Sequence, residues 1–303
     1  MVLERDDDVR TDHRGAVRDP HDAGTSAPTA GGALHWAPLH HPGHTGRFAA
    51  ITAEIAADPP DAFVVDVSVE VTLLVRLLGV PVVVMTQPGA RDDDPHRLAW
   101  RIADAVVAPW PAGRYDPLGR DLHEVGGISR FDGRPRAGAP VPGRVLVLGG
   151  GAADEGTGTD DPDGVPGAGS TTWHHLGGHA PWAEDPWPAI CAAEVVVSAA
   201  GQNAVADLAA AGARAIVVAQ DRPFDEQRAT AEALGRAGLA VVVPAWPSRD
   251  EWPGLLQRAR ALDPDWSRWR VAGAAARAAD VIAAVAARAT PAAVPTPASG
   301  GAA

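Results

Sequence analysis

The sequence predicts an α/β protein built from two parallel-sheet domains, and three observations carry that prediction. Short runs of Val, Ile, Leu and Ala alternate with amphipathic segments along most of the chain, the pattern of parallel strands covered on both faces by helices. One stretch, RFDGRPRAGAPVPG from Arg130 to Gly143, interrupts that alternation with linker composition. The segment from Glu194 to Val243 reads as strand, glycine-bearing turn, helix, strand, loop, helix, strand. Such a unit sets a turn and a loop side by side at the carboxyl ends of parallel strands, where open α/β sheets bind ligands.

Residues 1–32 are charged and rich in Pro and Gly, and their composition predicts disorder. The first domain spans 33–130. His35–Pro42 is expected as a short strand and loop. Gly46–Ala57 is expected as a helix with Phe48, Ile51 and Ile55 on one face. Ala62–Val67 reads as a strand, Val69–Leu78 as a helix, Val80–Met85 as a strand, Pro95–Ala103 as a helix and Ala105–Ala108 as a strand. With 131–143 as linker, the second domain spans 144–289. It opens on the strand Arg144–Leu148, which runs directly into Gly149, Gly150 and Gly151. Glycines there let backbone amides approach a phosphate, or make a simple turn. Ala152–Ser170 is a loop, read either as a lid or as a tolerated insertion. A second strand ends at Leu176, before Gly177 and Gly178.

Val195–Val197 is the next strand, and Ser198–Gly201 is a turn of small residues. Asn203 suits the cap of the helix carrying Val205, Leu208 and Ala209, and Gly212 suits its C′ position. Ala215–Ala219 is a strand, Gln227 opens a helix ending near Gly238, and Leu239–Val243 is the last strand. Trp266–Ala289 is a helical tail, and 290–303 is a Pro/Ala/Gly/Ser segment predicted to be unstructured.

Ser198, Ala200, Gly201, Asp207, Asp225 and Gln227 form a pattern that resembles the nucleotide-sugar-binding half of GT-B glycosyltransferases, specifically the family 28 C-terminal domain of the MurG type. The resemblance implies two Rossmann-like domains in a GT-B arrangement, with the helical tail crossing back onto the first. It implies that Asp207 holds the ribose hydroxyls of a UDP-type donor, that Gln227 in the Asp225-x-Gln227 loop contacts the donor sugar, and that the amides of Gly201, Gln202 and Asn203 face the diphosphate. A helix N-terminus with free N–H groups favours such an anion. The chain has Asp where the family has Glu, and Thr230 or Ala231 where it has Asn. Trp182 falls where the family's base-binding loop lies, and reads either as a stacking partner for uracil or as an aromatic plug between helix and sheet. A GT-B first domain normally holds six or seven strands and opens on a glycine-rich loop. About three strands are legible here, so the first domain is expected to be incomplete at its start.

Candidate catalytic groups lie in that first domain. His35, His40, His41 and His44 cluster as metal ligands, as a base facing a cleft, or as a solvated loop; His44, just before a helix, is the favoured base for an acceptor hydroxyl. Asp66 and Glu70 flank a strand end, either as acceptor-side carboxylates or, for Glu70, as a helix first-turn charge. Asp92, Asp93 and Asp94 contain an Asp-x-Asp that hard cations favour, but they equally suit a turn capping a helix. Since GT-B donors are usually bound without protein-held metal, no metal and no cofactor are expected.

Together these readings predict transfer of a hexose or N-acetylhexosamine from a UDP-type donor to an acceptor by in-line displacement at the anomeric carbon. A nucleotide-sugar 2-epimerase-like enzyme and a non-catalytic nucleotide-sugar-binding protein or partner subunit are the alternatives. The net charge of −12 argues against nucleic acid as a partner. There is no Lys; a local Arg patch leaves a peripheral membrane contact open. The charged start lacks the apolar core of a signal peptide, and no apolar run is long enough to span a bilayer. The single Cys191, read as core filler, excludes an intrachain disulfide framework, and together these features predict a cytoplasmic protein.

Overall fold

In a computed structural model of the chain, residues 28–115, 121–149, 171–178 and 180–289 are described. They form two parallel sheets with helices packed against them. The first sheet has the order β1-β2-β3-β4, from strands β1 (Phe63–Asp66), β2 (Val82–Met85), β3 (Ala105–Ala108) and β4 (His123–Glu124). Its helices are α1 (Pro42–Ala57), α2 (Val69–Leu77) and α3 (Asp94–Ile102). The register is in phase across Val64, Val83 and Ala105, so apolar residues of successive strands stack on common faces.

The second sheet has the order β6-β5-β7-β8-β9, from β5 (Val141–Leu148), β6 (Thr172–Leu176), β7 (Ala193–Ala199), β8 (Ala215–Val218) and β9 (Val241–Val243). The helices α4 (Trp187–Ala192), α5 (Gln202–Ala211), α6 (Glu226–Ala237) and α7 (Trp252–Arg260) cover it. One face is closed by Leu146, Val196, Leu208 and Leu234, the other by Val145, Ile216, Trp252 and Leu256. Burying such side chains contributes roughly 25 cal/mol per Å² of apolar surface removed from water. Cys191 is buried in the first of these cores, as expected of filler.

Several boundaries depart from the sequence reading, each for a local reason. Residues 35–42 form no strand; the backbone turns at His40 (φ 57) and continues into α1. That helix opens at Pro42 rather than Gly46, because His41 caps it: its ring Nδ1 accepts from His44 N at 3.1 Å. Strand β5 starts at Val141, inside the segment read as linker, and Phe131 of that segment is buried against Trp187. Asn203 is not a cap. Gly201 holds the extended cap position of α5, and Asn203 is exposed in the first turn. Strand β4 escaped the sequence reading because two residues carry no periodicity.

The tail is a 3-10 turn, Trp266–Trp269, separated by left-handed Arg270 (φ 53) from α8 (Ala274–Ala289). Trp266 and Trp269 pack into the second-domain core, while Ala278 and Val285 of α8 pack with Val83, Ala105 and Val107 of the first sheet. The tail therefore crosses from the second domain onto the first. Arg277 secures the crossing, donating from Nε to Val125 O (2.7 Å) and from Nη2 to Arg270 O (2.7 Å).

Candidate functional site

Strand β7 ends in the turn Ala199–Gly201, where the chain reverses into α5. Gly201 caps the helix without a side-chain bond, and a Cβ there would meet nothing within 4 Å. The first-turn N–H groups of a helix have no intrahelical partner, so this N-terminus offers uncapped donors and the positive end of a dipole. Gln202 opens the helix, and its Nε2 is buried with no hydrogen-bond partner. Farther along α5, Asp207 lies beneath the connection between the domains. Ser129 Oγ donates to Asp207 Oδ1 at 2.6 Å and itself accepts from Phe131 N at 3.0 Å. Arg130 Nε lies 3.9 Å from the other oxygen, Oδ2. Burial pushes the Asp207 carboxyl pKa up, against the lowering pull of Ser129 and Arg130.

Gln227 is the keystone of this end of the sheet. It is 4 % exposed, and its Oε1 accepts from both Ala200 N (3.1 Å) and Gln220 N (3.1 Å). Its Nε2 donates to Gln220 Oε1 at 3.2 Å. One amide thus ties the β7–α5 turn to the β8–α6 loop, so Gln227 shapes the turn rather than presenting its carbonyl to solvent. Asp225 is exposed, left-handed (φ 54), and pairs with Arg228 at 3.4 Å. Thr230 is buried, donates to Glu226 O (3.0 Å) and accepts from Tyr115 Oη (3.4 Å). Trp182 is 71 % exposed, which removes the plug reading. Gly149 is required by a close approach, since a Cβ there would lie 2.6 Å from Gly178 N. Gly150 and the loop Ala152–Ser170 lie outside the described residues.

The first-domain candidates are arranged differently. Glu70 Oε1 accepts from the backbone N–H of His35 (2.8 Å) and of Trp36 (2.9 Å), and Oε2 accepts from Ser68 Oγ (3.2 Å). That carboxylate anchors the segment entering α1. His44 sits beside Phe48 and Trp36, with ring centroids 4.3 Å and 5.1 Å away. Burial lowers its pKa, and the charge of Glu70 partly offsets that. Asp66 is exposed at the end of β1.

Of the four clustered histidines, His35 joins a polar centre with two residues from α3 and its cap. The donor atoms of His35, Asp93 and His96 lie within 4.8 Å of one another, which is ligand-like spacing. The protons decide otherwise. Arg91 Nη1 is 3.0 Å from His96 Nε2 and can only donate, so that nitrogen accepts. His96 Nδ1 then carries the proton and donates to Asp93 Oδ1 at 2.6 Å, while His35 Nε2 donates to Oδ2 at 3.0 Å. A metal on Nδ1 would force an N–H at Nε2 against the guanidinium. Asp93 also caps α3, accepting from His96 N at 2.9 Å, so the capping reading of the acidic triplet holds at Asp93. Burial, reinforced by Arg91, pushes the His96 pKa down to about 4.

Ser129, Arg130, Arg91 and Gln220 were missed by the sequence reading. Arg130 opens the segment whose composition reads as linker, Ser129 lies just before it, and Arg91 reads as one arginine in a polar turn. Their partners are distant in sequence, and no local pattern marks them.

Residues 180–248 match the glycosyltransferase family 28 C-terminal domain. The chain is similar to the crystal structure of MurG from Acinetobacter baumannii, at 18 % identity and TM-score 0.54, over 78 % of this chain and 77 % of that one. It is also similar to CalG4, the calicheamicin glycosyltransferase, at 20 % identity and TM-score 0.51, covering 80 % of each chain. The glycosyltransferase VinC, solved in complex with dTDP, matches at 16 % identity and TM-score 0.51, over 80 % of this chain and 75 % of that one. No curated protein matches the sequence. The fold is therefore GT-B, and no helix among the described residues is long and apolar enough to cross a membrane.

Proposed function

We propose that the chain is a glycosyltransferase that moves a hexose or N-acetylhexosamine from a nucleotide-diphosphate sugar, of the UDP type, to an acceptor hydroxyl. The observation that carries this reading is the uncapped N-terminus of α5 at Gly201, with Asp207 farther along the same helix and Gln227 holding the turn that leads into it. The amides of Gly201, Gln202 and Asn203 meet the diphosphate, and the helix dipole stabilises the charge that grows on it as the glycosidic bond breaks. Asp207 Oδ2, free of the Ser129 bond, accepts from the nucleoside sugar. Arg130 adds a partly exposed positive charge beside it. Trp182, exposed, stacks on the base.

Displacement is in line: the acceptor oxygen attacks the anomeric carbon as the bond to the diphosphate oxygen breaks, and the acceptor proton passes to a base. His44 suits that role, since its lowered pKa keeps the imidazole neutral and able to accept a proton near pH 7. No protein-held metal is invoked; backbone amides and Arg130 meet the leaving charge. That VinC, of similar fold, was solved in complex with dTDP supports a nucleotide ligand. With Cys191 reduced and buried, a cytoplasmic setting fits. The engagement of Glu70 by backbone groups favours, as a second reading, a donor-binding chain without turnover.

The test is thermal unfolding with UDP, UDP-GlcNAc, TDP and GDP, beside Asp207→Ala. A nucleotide at 100 times its Kd stabilises the native state by about 2.7 kcal/mol, and the variant is expected to lose that response. A chain that melts cooperatively and answers no nucleotide overturns the proposal. Binding without hydrolysis or transfer of the sugar favours the second reading.

A further inference from the structure

We propose that Arg91, in the first domain, is a positioning residue for the donor loop of the second. This rests on the donor-site reading above. Phe224 and Asp225, which close that loop just before α6, are both left-handed (φ 62 and φ 54), a conformation that side chains other than glycine avoid. Two such residues in succession persist only where their surroundings over-determine them.

The surroundings are supplied by the β2–α3 loop. Ala90 N donates to Phe224 O at 2.7 Å, and Gly89 (φ +101) approaches so closely that a Cβ would lie 2.1 Å from that oxygen. Arg91 is 2 % exposed, and its guanidinium carbon stands 4.6 Å from the centre of the Phe224 ring. It donates to Gln87 Oε1 at 3.1 Å and to Glu226 Oε2 at 3.4 Å. The imidazoles of His35 and His96 pack on the same Phe224 ring, with centroids 5.1 Å and 4.8 Å away. A buried guanidinium needs such partners, because burial disfavours its charge.

Gln227 follows two residues after the strained pair and carries the bonds to Ala200 N and Gln220 N. The contact path is continuous: first-domain loop, left-handed Phe224–Asp225, Gln227, Ala200 turn. Losing the contact to Arg91 lets Phe224 and Asp225 relax to ordinary φ, turns the start of α6, and withdraws Gln227 from the turn. The donor site is then organised only while the two domains touch at Arg91.

Hydrogen exchange on the full chain tests this, comparing wild type with Arg91→Ala and with Phe224→Ala, the milder variant if the first fails to fold. The amides of Ala200 and Gln220 are expected to exchange at least tenfold faster in the variants, while those of Val196 and Ile216 keep the wild-type rate. The Kd for UDP or TDP is expected to rise at least tenfold. Wild-type exchange at Ala200 and Gln220 overturns the proposal, and so does an equal acceleration at all four amides, which would mean a purely structural role. Local release in a chain whose wild type binds neither nucleotide supports the positioning role and overturns the donor reading instead.

Discussion

The two domains place the same kinds of polar residue at the carboxyl ends of their strands and treat them oppositely. In the second domain the polar groups are left with capacity: Gly201 caps a helix with open space above it, Gln202 keeps an unpartnered amide, and Asp207 has one oxygen unbonded by Ser129. In the first domain the corresponding groups are saturated. Glu70 is held by two backbone amides, and Asp93 accepts from two imidazoles and its own helix. Burying a polar group without a partner costs free energy, and the proposed donor would complete the bonding of the open groups around α5. Saturated groups build the walls around it. The glycosyltransferase resemblance, concentrated in residues 180–248, falls on the half with open capacity.

The largest test of this contrast is Gln227→Ala. It strands two amides, one of them the buried Ala200 N–H, at roughly 1–3 kcal/mol each. Chemical denaturation is expected to show a loss of roughly 2–4 kcal/mol, with the nucleotide response abolished. A stable variant that still binds nucleotide would mean the turn holds its shape without Gln227. Next in size is Glu70→Ala, expected to cost about 1–2 kcal/mol while leaving the nucleotide-induced stabilisation in place; water replaces part of the lost bonding at this half-buried site. Glu70→Gln, which keeps an acceptor oxygen, is expected to recover most of it. Loss of sugar transfer at unchanged stability would place Glu70 in the chemistry and blur the contrast.

The smallest expected effect is a pH dependence. His96 faces Arg91, Asp93 and His35, and its folded pKa of about 4 lies below the ordinary 6.5. The unfolded chain therefore takes up the proton first. Its contribution to stability is fully present above pH 6.5 and falls away as pH drops towards 4. The difference in melting temperature between wild type and His96→Gln is expected to shrink over that window. A constant difference would mean that His96 charges freely in the native state and that Arg91 does not fix its tautomer.

Much of the fold was legible because its signals are local. Val195–Val197, Ala215–Val218 and Val82–Met85 are apolar runs bounded by turns, and each is a strand. Gly212 and Gly238 end helices in the left-handed conformation (φ 61 and φ 68), as glycine after an amphipathic run predicts. Asp207 and Gln227 were singled out by the resemblance of one segment to the family 28 C-terminal domain. Gln227 proved to bridge two loops, because its side chain points back between the turns it was expected to overlook.

The sequence by itself determined the alternation of strand and helix, the position of the glycine-opened turn before α5 and the carboxylate that follows it, since periodicity, helix capping and backbone freedom act within a few residues. Only the tertiary structure decided which polar groups remain open. Ser129 meets Asp207, Glu70 meets His35 and Trp36, and Arg91 meets Phe224 and Glu226 across the domain junction. Whether a carboxylate binds a ligand or supports a loop depends on which donors arrive beside it, and those donors come from parts of the chain that no local pattern connects.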